Sequence, residues 1–436
     1  MSEARAGRVT RWLAGRGDLT FAVFATTSAF CTYFSMYAFR KPFAMGTFEG
    51  TVGDSELDYK IALILAQVIG YCVSKFLGIK VISESSGRNR AATLLGLIAF
   101  AELALLGFAL APRPWGLLFL FLNGLPLGMV WGLVFGFLEG RRISEALGAG
   151  LSASYIVASM AVKTVGGWWL QSGMSEQWMP LVTGLCFAPL LLASVWGLAQ
   201  LPPPTEADEA ARTRRAPMDA AARRRFVRTF APGLAALTGL YMLLTAYRDF
   251  RDNFARELWD AVGYADAPAM MTKVELVVAF GVLLALAAIM VVKDNRRALG
   301  VVHLVMGVGA SLIGLSTLAF RSGWIGPELW MGSVGLGLYL GYVPFGCVLF
   351  DRLIAAVGFV GTAGFMIYVT DAFGYLGSVA LLLYKNFGRA DLSWLDFFVG
   401  FSYVTAVVCG AAFVFSHLYF AKRTRAVAAA ASEAAV

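Results

Sequence analysis

The sequence predicts an all-α membrane protein of twelve transmembrane helices, arranged as two similar six-helix halves. Three observations lead there: an apolar composition beyond what a water-facing surface tolerates, apolar runs of bilayer length recurring across residues 19–420, and an internal repeat at one fixed offset. Of the 436 residues, 58% are hydrophobic and the mean hydropathy is +0.69, against roughly 45–50% apolar residues in soluble domains. Each apolar run is long enough to cross about 30 Å of hydrocarbon. The polar remainder, residues 1–18, one central stretch and a short tail, leaves no room for a soluble domain. The first run has no small-residue cleavage site and continues into an aromatic segment, so it reads as a span and not as a removable leader.

Apolar runs between charged punctuation place helices at 19–48, 58–83, 91–111, 114–139, 148–170 and 177–200, then at 230–259, 271–292, 298–320, 324–350, 357–384 and 394–421. The first and seventh are too long for a perpendicular crossing, which implies tilt or a break. A stretch running from Pro202-Pro203-Pro204 through an acidic patch to Arg212, Arg214, Arg215, Arg223, Arg224, Arg225 and Arg228 reads as the linker. The chain therefore divides into a first bundle at 1–200 with a cytoplasmic arm at 1–18, a cytoplasmic linker at 201–229 and a second bundle at 230–436.

Basic residues set the expected orientation. Arg5, Arg8, Arg11 and Arg16, then Arg88 and Arg90, Arg141 and Arg142, the linker, Lys293 with Arg296 and Arg297, Arg352, and Lys422 with Arg423 and Arg425 all fall on one side. Glu49, Asp54, Glu56, Asp58, Asp260 and Asp266 fall on the other. The positive-inside rule puts both termini and the linker in the cytoplasm, with the chain multi-pass in a bacterial inner membrane. The net charge of +8 follows largely from this bias, so the linker arginines predict topology and no nucleic acid.

The halves repeat. Phe39-Arg40-Lys41-Pro42-Phe43-Ala44 aligns with Phe250-Arg251-Asp252-Asn253-Phe254-Ala255 at an offset of 211, and the same offset lays Gly150 on Gly361 and Gly166 on Gly377. One offset serving both ends of a half points to two six-helix units related by a parallel repeat.

Charges at bilayer depth are costly unless they face protein or water, so each is a functional candidate. Arg40 lies among aromatics beside Pro42, which removes a helix hydrogen bond. A snorkelling role at the outer interface is the bland alternative. Arg251 holds the equivalent place in the second half, and a symmetric arginine pair would form a fork for phosphate or carboxylate. Arg248 lies one turn before Arg251, with Asp249 and Asp252 on the neighbouring face, where a local ion-pair network is the competing reading. Lys75 sits inside helix 2 and Lys163 inside helix 5. Asp371, in helix 11, is placed to balance Lys163 or to carry a proton. Glu102, Glu139 and Glu275 are weaker candidates. Glycines at four-residue spacing from Gly124 to Gly140 read as close helix packing. The five cysteines lie in apolar runs, the two histidines make no metal-ligand spacing, and no nucleotide-binding loop is present, so no metal, no cofactor and no enzyme chemistry is expected.

At these residues the chain resembles the major facilitator superfamily and, within it, the organophosphate:phosphate antiporters. Tyr37-Ala38-Phe39-Arg40-Lys41-Pro42-Phe43-Ala44 is similar to that family's helix 1. Ser74-Lys75-Phe76, with Tyr71 upstream, resembles its helix 2. Lys163-Thr164-Val165-Gly166-Gly167 resembles its helix 5, with lysine where the family carries histidine. Phe373-Gly374-Tyr375-Leu376-Gly377 resembles its helix 11. The resemblance implies that Arg40 and Arg251 bind the anionic group, helped by Lys75 and Lys163. The residues themselves add Arg248, Tyr37 and Tyr71 as candidates to line the same site, and Asp371, Asp252 and Asp249 as candidates for charge balance. Glu84-Ser85-Ser86-Gly87-Arg88-Asn89-Arg90 resembles a degenerate cytoplasmic gating motif, which makes Glu84, Gly87 and Arg88 gating candidates. Lysine at 163 removes a group that titrates near neutral pH, and the three aspartates add charge that a pure phosphate clamp does not want.

The expected function is secondary active transport of a small anionic solute, an organophosphate, phosphate or other organic anion, by alternating access. The alternatives are a proton-coupled symporter of a carboxylate or zwitterion, with Asp371 carrying the proton, and a non-transporting sensor of a phosphorylated metabolite. Expected partners are the solute and the lipid bilayer, with the chain acting as a monomer.

Overall fold

In a computed structural model the apolar runs fold as helices, the geometry that satisfies every backbone N–H and C=O inside one segment when no water is at hand. The structure describes residues 7–53, 57–84, 89–141, 143–206, 208, 220–265, 267–358, 363–388 and 391–433. Arg5, Asp54, Glu56, Gly87, Arg88, Arg142, Arg212, Arg214, Arg215, Asp266 and Gly361 lie outside them.

The order is α1 (Arg8–Ala14), α2 (Asp18–Ala38), a 3₁₀ turn (Pro42–Met45), α3 (Tyr59–Glu84), α4 (Arg90–Leu110), α5 (Arg113–Leu127), α6 (Val130–Leu138), α7 (Ser144–Gln171) and α8 (Met179–Ala199). There follow α9 (Ala220–Asn253), α10 (Ala255–Ala261), α11 (Pro268–Met290), α12 (Asn295–Arg321), α13 (Pro327–Cys347), α14 (Leu349–Ala356), α15 (Ala363–Leu383) and α16 (Trp394–Glu433). Among the described residues ten helices are long and apolar enough to cross a membrane, and the pair α13–α14, bent by 55°, makes an eleventh. The helix α15, 21 residues long, holds the remaining expected place. The chain is a multi-pass membrane protein.

Several boundaries differ from the sequence reading, each for a local reason. The expected helix at 19–48 stops at Ala38, because Pro42 cannot donate and its ring crowds the preceding turn. The expected helix at 230–259 begins at Ala220, inside the stretch read as linker. It kinks at Phe230, two residues before Pro232, and breaks again at Phe254 (φ −108°, ψ 25°). The arm at 1–18 is helical over Arg8–Ala14, where Leu13 is buried. The last helix runs past 421 to Glu433. The fourth helix of each half is also broken, after Pro126 between α5 and α6 and after Pro344 at Val348. The first and fourth helices of both halves therefore carry a break.

The chain forms two compact units. One comprises Met1–Arg212 with Tyr264–Thr272, the other Thr213–Gly263 with Lys273–Val436. Tyr264–Thr272 belongs with the first because Thr164 donates to the Pro268 carbonyl at 2.7 Å and its hydroxyl meets that of Thr272 at 2.8 Å. Within the first unit, α3 and α5 touch through glycine: a Cβ on Gly124 would stand 2.2 Å from the Gln67 carbonyl oxygen, and one on Gly70 2.2 Å from that of Phe121. In the second unit Gly309 and Gly337 do the same for α12 and α13, each lacking a Cβ that would come within 2.5 Å of the other's carbonyl oxygen. Such backbone contact replaces the hydrophobic drive that lipid removes.

Candidate functional site

In the first unit the break after Ala38 leaves carbonyls that a continuing helix would have used. Two buried amides take them up. Gln67 of α3 donates to the Arg40 carbonyl at 2.9 Å and to Asn123 Oδ1 at 2.8 Å. Asn123 of α5 donates to the Phe39 carbonyl at 2.8 Å and to that of Ala101 at 3.0 Å. Both are at most 1% exposed, so this clamp sits in apolar surroundings, where an orphaned carbonyl costs most. It fixes the backbone from which Arg40 projects.

The Arg40 guanidinium stacks on the Tyr71 ring at 3.6 Å from its centroid, and the Lys75 ammonium stands 5.0 Å from the same centroid. Arg40 and Tyr71 are buried and Lys75 is half-buried. One aromatic ring therefore meets two cations, and the contact with the buried guanidinium stabilises desolvated charge by about 2 kcal/mol. Lys41, Lys60 and Lys163 are also buried in this unit. Tyr37 lies edge-on to Tyr33, with ring centroids 5.6 Å apart, and Tyr33 meets Tyr155 in the same way at 6.5 Å.

In the second unit Arg251 is equally buried, and it is ion-paired. Its guanidinium lies 2.6 Å from Glu275 Oε1 and donates to the Met331 carbonyl at 3.0 Å. Arg248 makes the local ion pair with Asp249, at 2.7 Å, and Ser378 donates to the other oxygen of Asp249 at 2.7 Å. The same guanidinium reaches the hydroxyls of Tyr342 and, at 3.0 Å, Tyr375. Tyr241 donates to Tyr342 at 2.8 Å and lies 3.3 Å from Asp371 Oδ1. A continuous line of hydrogen-bonding groups thus runs from Asp371 through two tyrosines to Arg248, Asp249 and Ser378. Asp252 is buried on the neighbouring turn.

The structure joins Arg40, Tyr71 and Lys75 at one ring, and Arg248, Asp249 and Asp371 in one network. Lys163 is buried separately along α7, and Arg251 is held by Glu275, which sequence reasoning ranked below it. Glu84 lies in the last turn of α3, its side chain outside the described residues, as are Gly87 and Arg88 whole. Sequence reasoning missed Asn123, Tyr241 and Tyr342 and gave Gln67 no role. For Asn123 the available signal was an amide alone in an apolar run, which hydrocarbon tolerates only when it is satisfied. The tyrosines gave none, because aromatics are ordinary in such helices.

The profile of a family described as "Family of unknown function (DUF5690)" matches residues 42–423. No curated protein matches the sequence. Among solved structures the chain is similar to a D-xylose–proton symporter, with a TM-score of 0.61 and 14% identity over 92% of this chain and 97% of that one. It is also similar to the major facilitator superfamily proton:xylose symporter XylE bound to 6-bromo-6-deoxy-D-glucose (TM-score 0.59, 14% identity, 93% and 95% covered). A third is the inward-open xylose transporter XylE from E. coli (0.54, 13%, 91% and 95%). At such identities the likeness concerns the fold, and the fold is that of the major facilitator superfamily.

Proposed function

We propose that this chain, which belongs to the DUF5690 family, is a secondary transporter that moves a small anionic solute by alternating access. The observation that carries the reading is the placement of Arg40 and Lys75 over one buried tyrosine ring. A guanidinium stacked on an aromatic face carries its N–H donors in its own plane, the geometry in which a carboxylate or phosphate accepts from arginine. Lys163, buried in the same unit, adds positive charge. Anion binding lowers the cost of burying these cations, so the loaded and empty states differ in free energy, as a ligand-driven change requires. An organophosphate or phosphate substrate is the finer form of the proposal, and the resemblance of the helix 1, 2, 5 and 11 segments supports it.

The closing test is uptake by proteoliposomes of radiolabelled phosphate, sugar phosphates and carboxylates. The wild type is expected to accumulate one of these classes, and Arg40→Gln to lose at least about tenfold, one lost charge-assisted contact of about 1.4 kcal/mol or more. Normal uptake by Arg40→Gln overturns the assignment, and binding without flux points to the sensor reading.

A specific observation favours a second form, proton-coupled symport. Asp371 ends a line of hydroxyls leading to Arg248, and the structures with the same fold include proton symporters. Uptake driven by a pH gradient and lost in Asp371→Asn supports coupling; solute exchange untouched by that change supports antiport. The basic loops support a bacterial inner membrane with both termini in the cytoplasm, which cysteine labelling of either terminus tests.

A further inference from the structure

A cavity of about 580 Å³ opens in the second unit where the start of α12 meets the end of α16, lined by Asp294, Arg296, Arg297, His303, His417 and Arg425 among others. We infer that this cavity binds the headgroup of an anionic phospholipid, whose acyl chains lie along the outer faces of the same two helices.

The lining explains the head. Arg296, Arg297 and Arg425 are all exposed, and among the described residues none forms an ion pair. Asp294 is already engaged, capping α12 by accepting from the Arg297 backbone N–H at 2.7 Å. Three guanidiniums against one occupied carboxylate leave a surplus of positive charge in a pocket of the size small headgroups need. The buried wall is rigid: His303 donates from Nδ1 to the Leu299 carbonyl at 2.8 Å and accepts at Nε2 from Ser416 at 3.0 Å.

The second, independent observation explains the tails. On α12 the row from the lining residue Gly300 continues at four-residue steps through Leu304 (65% exposed) and Val308 (52%). On α16 the row from His417 and Leu418 (63%) continues to Val414 (61%). A basic pocket at the foot of two exposed apolar rows matches a molecule with an anionic head and hydrocarbon tails, and basic pockets of this kind between membrane helices take anionic headgroups. A free phosphate ion would satisfy the arginines but make no use of the apolar rows beside them, which is the difference the experiment reads.

The experiment is native mass spectrometry and thermal denaturation of the full chain, delipidated and then given phosphatidylglycerol, phosphatidylcholine or inorganic phosphate. The wild type is expected to retain phosphatidylglycerol about tenfold or more over phosphatidylcholine and to melt higher with it. Arg296→Gln/Arg297→Gln/Arg425→Gln is expected to lose the preference while melting normally in phosphatidylcholine. Lys422→Gln/Arg423→Gln, which removes charge from α16 outside the cavity, is expected to keep it; Arg425→Gln alone is expected to weaken it, which guards against a poorly folding triple variant. Four outcomes overturn the inference: no preference in the wild type, a preference surviving both Arg425→Gln and the triple change, equal loss in Lys422→Gln/Arg423→Gln, or stabilisation by inorganic phosphate equal to that by the lipid.

Discussion

The two arginines that the repeat places in register have opposite surroundings. Arg40 leans on an aromatic ring that it shares with Lys75, whereas Arg251 is locked to a carboxylate. The 211-residue offset shows how. Glu275, the counterion of Arg251, falls on Ile64 in the first half. Gln67, Tyr71 and Lys75 of α3 fall on Val278, Val282 and Leu286 of α11, and Asn123 of α5 falls on Val334 of α13. At these aligned positions the first half carries an amide, a tyrosine, a lysine and a second amide where the second carries aliphatic residues, and Arg251 is paired with an acid. The aligned segments share an arginine with a helix break within three residues of it, but the break precedes Arg40 and follows Arg251, and the counterion of Arg251 is a single residue on another helix.

The largest expected effect breaks that contrast on the second side. Glu275→Ala leaves Arg251 buried without its acid and is expected to destabilise the protein by about 3–5 kcal/mol, seen as a lower melting temperature. Arg251→Met/Glu275→Leu is expected to recover most of it, since a buried pair replaced by apolar groups is often neutral. A double variant as unstable as the single one would mean that the pair does more than neutralise itself.

Removing the amide clamp comes next. Asn123→Leu takes a partner from the Phe39 carbonyl and from the Gln67 amide and is expected to cost about 2 kcal/mol. The mirror change Val334→Asn introduces an amide where the repeat has no matching need, so it too should destabilise. Gain from Val334→Asn would show that the two halves are more alike than their partners suggest.

Transplanting the counterion sharpens the comparison in the other direction. Ile64→Glu puts into the first half the acid that the second carries, and solute affinity measured by isothermal titration is expected to fall about tenfold, about 1.4 kcal/mol. Unchanged affinity with normal folding would separate Arg40 from solute binding. Smallest is Tyr71→Phe, which keeps the π face and is expected to shift melting by less than about 0.5 kcal/mol. Tyr71→Leu removes the face and is expected to lose about 1–2 kcal/mol.

Much of the architecture was legible because lipid imposes simple rules. Apolar length marks spans, as at 91–111 against Arg90–Leu110, and Pro42 announced a disturbance near Arg40. Boundaries failed where one run hid two elements, as at 19–48 and 230–259, since hydropathy does not register a break that stays apolar. At the site, Arg40, Lys75 and Tyr71 were visible as polar or aromatic groups in oil. Their union at one ring was not, because Arg40 and Tyr71 are 31 residues apart and meet only through the register of α3 against the broken end of α2.

By itself the sequence determined the membrane class, which follows from the cost of placing residues in hydrocarbon, and it singled out Arg40, Lys163 and Arg251 among the charges that prove buried, while Lys60 and Lys385 went unmarked. Only the tertiary structure decided what each arginine meets, Tyr71 at 3.6 Å for Arg40 and Glu275 at 2.6 Å for Arg251, because each of these partners stands on another helix.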